Sequence, residues 1–255
     1  MPSLSSALAR IAKTSKIYVL LLASCLLPVF SLAQSPRIRD TNANGWFMFY
    51  GDHKLSPTWG VHTEFQARRY NVITAPQQLV LRLAANYSLS STSMVALGYG
   101  FVKSHPYGDF PAPGDSHEHR IYEQLQLQGK LSRIALSHRY RLEQRWVENL
   151  SLGQYLYQNR VRYQLRGTVP LQGPTLDPKE VFVSAYDEIF IGFGNNVPNI
   201  FDQNRTYAAA GYKLSKEASV EGGYMLQILQ QRNQKIWEHN HTLQMSLTYN
   251  FDFTR

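Results

Sequence analysis

The chain has 255 residues, a formal net charge of +8 and a mean hydropathy of −0.33. After the first 33 residues no apolar run approaches the roughly 18 residues that a membrane helix needs, which excludes a helical membrane protein. These values do not exclude a membrane β-barrel, in which only every second residue faces lipid.

The first 33 residues are typical of a secretory signal peptide. Three basic residues precede the apolar stretch 17–30, and Ser31-Leu32-Ala33 forms a small-x-small cleavage site. Leu22-Ala23-Ser24-Cys25 also matches a lipoprotein cleavage box, in which Cys25 would be lipidated, although the residues after it stay apolar. We favour ordinary cleavage, so residues 34–255 form the mature domain, without cysteine or disulfides.

The mature chain stays basic. The signal segment holds three of the 26 Lys and Arg residues and no acidic residue, which leaves 23 basic against 18 acidic residues and a net charge of +5. The arginines occupy alternate positions of predicted strands rather than a basic helix or tail, and the chain is expected to be exported. We therefore do not expect a nucleic-acid partner.

Period-two alternation of apolar and polar residues predicts β-strands along the whole mature chain. Short polar turns such as Ser90-Ser91-Thr92 join several of them. The predicted strands are 45–54, 60–71, 77–89, 93–104, 119–130, 134–147, 155–169, 181–192, 203–215, 219–232 and 236–251. We expect an all-β fold, a single antiparallel transmembrane β-barrel of about 10–12 strands. Bacterial barrels usually have an even number, so either the weak first segment does not pair or a twelfth strand is missed.

The stretch 134–166 indicates which way such a barrel would face. Around residue 140 one face carries aromatic and aliphatic side chains, and the other carries arginine with an occasional glutamate. An apolar outside and a charged inside are typical of a barrel in a membrane. The expected inward charges, here called the ladder, are Glu64, Arg68, Arg82, Arg139, Arg141, Glu143, Arg145, Arg160, Arg162 and Arg166, with Glu238 on the last strand.

The ladder has two interpretations. Rings of arginine favour anions, so the lumen could be a positively lined path. Arginine also binds carboxylates bidentately, so the same residues could pair across strands and plug a narrow barrel. Barrels of this size lie between filled eight-stranded barrels and wide porins. We favour a plug or a narrow pore.

Other polar groups suggest weaker hypotheses. Asp187, Glu188, Asp202 and Arg205 flank a Gly/Asn-rich loop and are expected to form an acidic cluster at a loop mouth, for acid/base work, for calcium, or simply for pairing with lumen arginines. His117-Glu118-His119 could bind a metal, but its spacing matches no standard site. We assign no metal site, cofactor or catalytic residue.

Several phrases give the chain a family resemblance, among them Tyr107-Gly108-Asp109-Phe110-Pro111, Ala185-Tyr186-Asp187-Glu188-Ile189-Phe190 and Phe201-Asp202-Gln203-Asn204-Arg205. Together with the arginine-rich segment 138–146, these phrases resemble the family catalogued as domain of unknown function 2490, a group of predicted outer-membrane β-barrels. The resemblance covers about 46–251. It implies the barrel and the outer membrane, and it brings no established activity or functional residues.

These observations predict a barrel in the outer membrane of a Gram-negative bacterium. We expect it to be a narrow passive channel for small, possibly anionic solutes, or a structural barrel with a salt-bridged lumen. The alternatives are a barrel enzyme acting on lipid or peptide and a soluble periplasmic barrel that binds a ligand. Its expected partners are outer-membrane lipid, lipopolysaccharide and the barrel assembly machinery, which would read the last strand.

Overall fold

The structure is a computed structural model that describes residues 37–254. The predicted signal peptide and Cys25 lie outside these residues. Eleven strands account for most of the described chain: β1 (Ile38–Lys54), β2 (Trp59–Tyr70), β3 (Ala75–Ser88), β4 (Ser93–Ser104), β5 (Ser116–Leu131), β6 (Ile134–Asn149), β7 (Gln154–Pro170), β8 (Val181–Phe193), β9 (Phe201–Lys213), β10 (Ala218–Gln230) and β11 (Ile236–Tyr249). The predicted all-β class is confirmed.

The strands form one closed barrel in chain order. Each strand pairs antiparallel with the next, and β1 closes the barrel by pairing parallel with β11. An up-and-down sheet with an odd number of strands can only close in this way, because its first and last strands run in the same direction. The predicted barrel of about 10–12 strands is therefore confirmed, with eleven strands in place of the expected even number.

The first strand, which looked weak in the sequence, makes this closure. It pairs with β2 over Asn44–Lys54 and with β11 over Ile38–Tyr50. It begins seven residues before the predicted position, because residues 38–44 are mostly polar on both faces and give no apolar alternation.

The strands are strongly staggered. Following register partners once around the barrel from Lys54 leads to Asp40, fourteen residues earlier on the same strand. The path is Lys54, Gly60, Asn86, Ala96, Gln124, Arg141, Arg162, Phe190, Gln203, Leu229, Glu238 and Asp40. Stagger and strand number together fix the tilt and the radius of a barrel. Eleven strands give a lumen narrow enough for long side chains to meet inside it.

The two ends of the barrel differ. The end called here end A carries the start of β1 and the links 71–74, 105–115, 150–153, 194–200 and 231–235. The opposite end, end B, carries the links 55–58, 89–92, 132–133, 171–180 and 214–217, and the end of β11. Four of the five links at end B have four residues or fewer, compared with two of the five at end A, and the longest link, 105–115, lies at end A.

The interior is polar and the exterior is apolar. Among the described residues 26 polar or charged residues are buried, compared with 13 hydrophobic ones. Large apolar side chains such as Leu83 and Leu97 are about 60% exposed on the outer wall (57% and 60%). Inside, a small cluster of Trp46, Met48, Tyr207 and Met225 packs on one side of the lumen. This inverted distribution is the one expected of a barrel surrounded by lipid.

No helix in residues 37–254 is long and apolar enough to cross a bilayer.

Candidate functional site

The ladder residues lie inside the lumen, distributed along its length. Their inward direction follows from strand parity, since residues two apart share a face. Further charged residues belong to the same interior and were not assigned to the ladder: Asp40, Glu118, Arg120 and Glu221. The alternation of Glu118, Arg120 and Tyr122 in β5 could have identified two of them. Arg205, predicted for a loop mouth, also lies here.

A continuous ion-pair network crosses β6, β7 and β8. The Glu143 carboxylate is fully buried and accepts hydrogen bonds from Arg160 Nη2 (2.5 Å) and Arg162 Nη1 (2.8 Å). Glu188 Oε1 accepts from Arg162 Nη2 (2.7 Å) and Arg139 Nη2 (2.9 Å). Arg162 therefore bridges two carboxylates, and its planar guanidinium fits this double role.

Three other glutamates form smaller groups of ion pairs in the lumen. Near end A, the Glu118 carboxylate accepts hydrogen bonds from Arg120 Nε (2.6 Å) and Arg145 Nε (2.5 Å). Glu64 pairs with Arg82, and Glu221 pairs with Arg166. Separating the two partners of such a buried pair leaves an uncompensated charge, which is costly. These contacts therefore hold the interior in one arrangement.

Three buried arginines have no carboxylate partner within the described chain: Arg68, Arg141 and Arg205. Each donates instead to a neutral glutamine: Arg68 to Gln66 and Gln78, Arg141 to Gln124, and Arg205 to Gln203. Each guanidinium also lies against an aromatic ring, at 3.7 Å from the Trp46 centroid for Arg68 and 4.3 Å from the Tyr122 centroid for Arg141. The positive charge is thus held in place but not neutralised.

Two cavities occupy the lumen on either side of a narrow waist. The cavity toward end B measures about 380 Å³, and the cavity toward end A measures about 220 Å³. The residues that line both cavities, here called the partition layer, are Trp46, Arg82, Arg162 and Arg205. Anything that passed along the lumen would have to cross this layer of three arginines and one tryptophan.

The predicted acidic cluster at a loop mouth does not form. Asp187 and Glu188 are neighbours in β8 and therefore point to opposite faces. Glu188 lies in the lumen with its register partner Arg205, whereas Asp187 lies on the outer wall and accepts from Asn204 Nδ2 (3.0 Å) and Thr206 Oγ1 (2.8 Å).

Asp202 is closest to the prediction. It lies at the start of β9, near end A, and accepts a hydrogen bond from Arg160 Nη1 (2.6 Å). It therefore joins the lumen network instead of forming a separate carboxylate site.

Strand parity also divides the histidine motif of β5. Glu118 faces the lumen, whereas His119 faces outward and pairs with the Tyr99 hydroxyl (2.6 Å). His117 contacts Glu148 (3.0 Å). Within residues 37–254 no group of three or more His, Cys, Asp or Glu side chains is placed to hold a metal ion.

One outward pair resembles a base and a nucleophile. His53 Nε2 lies 2.8 Å from Thr63 Oγ1. However, His53 Nδ1 accepts the backbone N–H of Phe251 (3.2 Å), so the proton of the neutral ring is on Nε2. The imidazole therefore donates to the threonine and does not act as its base.

The link 105–115 folds over the mouth of end A. The Tyr107 hydroxyl donates to Glu238 Oε2 (2.5 Å), on the far side of the barrel seam. Desolvation of this hydroxyl and the nearby Glu238 carboxylate raise the Tyr107 pKa well above its ordinary value.

Two further contacts fix the same link. Gly108 has a φ of 76° and approaches Asn42 so closely that a side chain at this position would collide with it. Gln231 Nε2 donates to the Phe110 carbonyl (3.2 Å).

Comparison with known proteins gives a family but no activity. The chain is 27% identical, over 191 residues, to an uncharacterized protein of Methylorubrum extorquens, an alignment that covers 72% of this chain and 77% of that protein. No solved structure matches it. The family described as "Protein of unknown function (DUF2490)" matches residues 43–239, nearly all of the barrel. The resemblance expected from the sequence is confirmed: the chain belongs to the DUF2490 family.

Proposed function

We propose that this protein is an outer-membrane β-barrel with a narrow, anion-preferring path through its lumen. The apolar outer wall and the charged interior support the membrane location. Short turns are typical of the periplasmic side of bacterial barrels, so end B would face the periplasm and end A the exterior. Outer-membrane lipid would then surround the wall, and the assembly machinery would insert the barrel.

The partition layer is the observation that carries the anion preference. It contains three arginines and no acidic residue. Arg82 and Arg162 are paired with glutamates that lie outside the layer, whereas Arg205 is not paired with any carboxylate of residues 37–254. A ring of positive charge at the narrowest point favours anions and repels cations.

The same layer limits the size of a solute. The two cavities share only the side chains of this layer, so these side chains would line the passage between them. We therefore expect a small conductance in discrete steps. We also expect that bulky solutes do not pass.

The test is the reversal potential of the refolded protein in a planar bilayer under a salt gradient. The variant Arg205→Gln removes the unneutralised charge of the partition layer without stranding a carboxylate. Its anion-to-cation permeability ratio should fall by at least about threefold, because a unit charge 6 Å away in water is worth about 0.7 kcal/mol.

The matched control is Arg39→Gln. Arg39 is an exposed arginine of β1 and does not line the lumen cavities, so selectivity should not change. A silent bilayer from folded, heat-modifiable protein would refute the channel. Equal loss of selectivity in both variants would mean that surface charge, and not the partition layer, sets the preference.

A further inference from the structure

Arg205 is the most unusual member of the partition layer. Its side chain comes from β9 and is 92% buried (8% exposed). Its guanidinium carbon lies 4.9 Å from the Trp46 ring centroid and 4.7 Å from the Phe190 centroid. Two aromatic contacts and the hydrogen bond from Nε to Gln203 (3.2 Å) fix the orientation of the group.

The two terminal amino groups of Arg205 have no hydrogen-bond acceptor among residues 37–254. Arg205 lines both cavities, so these donors face open space at the waist. The buried Nε of Arg82, in the same layer, also lacks an acceptor in the described chain. A buried charge without a counter-charge is costly, so this arrangement is poised for an anion.

The nearby carboxylates are already occupied. Glu188, the register partner of Arg205, receives hydrogen bonds from Arg139 and Arg162. Glu64 pairs with Arg82. Arg68, the second guanidinium that lies against Trp46, is satisfied only by neutral glutamines. Two positive charges therefore surround Trp46 without a matching negative charge.

We propose that the waist around Arg205 is a binding site for a small dianionic oxyanion of the phosphate class. Two unneutralised guanidiniums match a double negative charge, and free terminal amino groups suit the bidentate geometry of phosphate oxygens. The adjoining cavity of about 220 Å³ admits such an ion with several waters. The inference deepens the proposed function and rests on it for access of the ion through the lumen.

Binding is tested on the folded barrel in detergent, where both mouths are open to solvent. Titration calorimetry with inorganic phosphate should show one saturable site per chain. Arg205→Gln should weaken the affinity by at least about tenfold, because it removes the charge-assisted hydrogen bonds that the guanidinium donates to the ion. Arg205→Lys keeps the charge and loses the planar fork, so it should also weaken binding, and it serves if the glutamine variant does not fold.

The matched control is Arg39→Gln, which should bind phosphate like the wild type. Absence of saturable binding to the wild type, or unchanged affinity in both Arg205 variants, would overturn the site. Conductance of the same preparations separates the two proposals. If the protein conducts anions but does not bind phosphate, the binding site is refuted and the channel stands. If it binds phosphate saturably but does not conduct, the channel is refuted and the binding site stands.

Discussion

At the scale of single residues, strand parity decides whether a charge is structural or superficial. Asp187 and Glu188 have similar chemistry and adjacent positions, yet one lies on the outer wall and the other inside a salt-bridge network. Sequence reasoning predicted the faces of the ladder from this rule. It failed at Asp187 because the pair was assigned to a loop mouth, where parity does not apply.

This pair provides a direct test of the network. Glu188→Gln removes the charge that compensates Arg139 and Arg162. We expect it to lower the free energy of unfolding by about 3–5 kcal/mol, the usual cost of breaking a buried ion pair from one side.

The control for this loss is Asp187→Asn, which keeps an acceptor for Asn204 and Thr206 and should change stability by about 0.5 kcal/mol or less. Urea-induced unfolding in detergent measures both variants. Equal losses would show that the lumen pairs do not hold the barrel together.

At the scale of elements, the link 105–115 closes end A through few contacts. Its main polar anchor is the hydrogen bond from Tyr107 to Glu238, supported by ring contact with Tyr70 (centroids 5.8 Å apart). The sequence marks this segment as a long Pro/Gly-rich loop but cannot indicate that it folds inward. That position depends on Glu238, 131 residues later, and on closure of the barrel by β1 and β11.

Removal of the Tyr107 hydroxyl should loosen this cover. Tyr107→Phe keeps the ring and loses a hydrogen bond to a charged group, worth about 1.5–3 kcal/mol. Amide hydrogen exchange in residues 105–115, followed by mass spectrometry at neutral pH, should then be at least about tenfold faster. Tyr212→Phe, an outward tyrosine of β9, is the control and should leave this exchange unchanged.

The pH dependence of the cover follows from the raised Tyr107 pKa. The folded state favours the protonated hydroxyl, so its contribution to stability is complete below the ordinary tyrosine pKa of about 10 and is lost as the pH rises beyond it. The wild-type cover should therefore stay closed at neutral and mildly alkaline pH. Each measured rate is divided by the intrinsic exchange rate at the same pH, and extra opening already between pH 6 and 8 would contradict this assignment.

At the scale of the whole molecule, the sequence predicted the barrel but not its closure. Alternation defined ten strands well, because each has an apolar outer face. The count stayed open, because the first half of β1 has polar residues on both faces and its pairing partner β11 lies at the other end of the chain. The waist was unpredictable for the same reason: Trp46, Arg82, Arg162 and Arg205 come from four different strands and meet only after closure.

The odd strand number makes a topological prediction, since it places the start of β1 and the end of β11 at opposite ends of the barrel. Single cysteines in a Cys25→Ser background, at Arg37 and Asn233 for end A and at Ser91 and Thr254 for end B, can be labelled on intact cells with a membrane-impermeant maleimide. Under the proposed orientation the two end A positions react and the two end B positions react only after the outer membrane is permeabilised.

Barrels with an even number of strands have both chain ends on one side. Labelling of both Arg37→Cys and Thr254→Cys on intact cells would therefore rule out the parallel β1–β11 seam. If the two end B positions react on intact cells and the two end A positions do not, the parallel seam is kept and the barrel has the opposite orientation in the membrane.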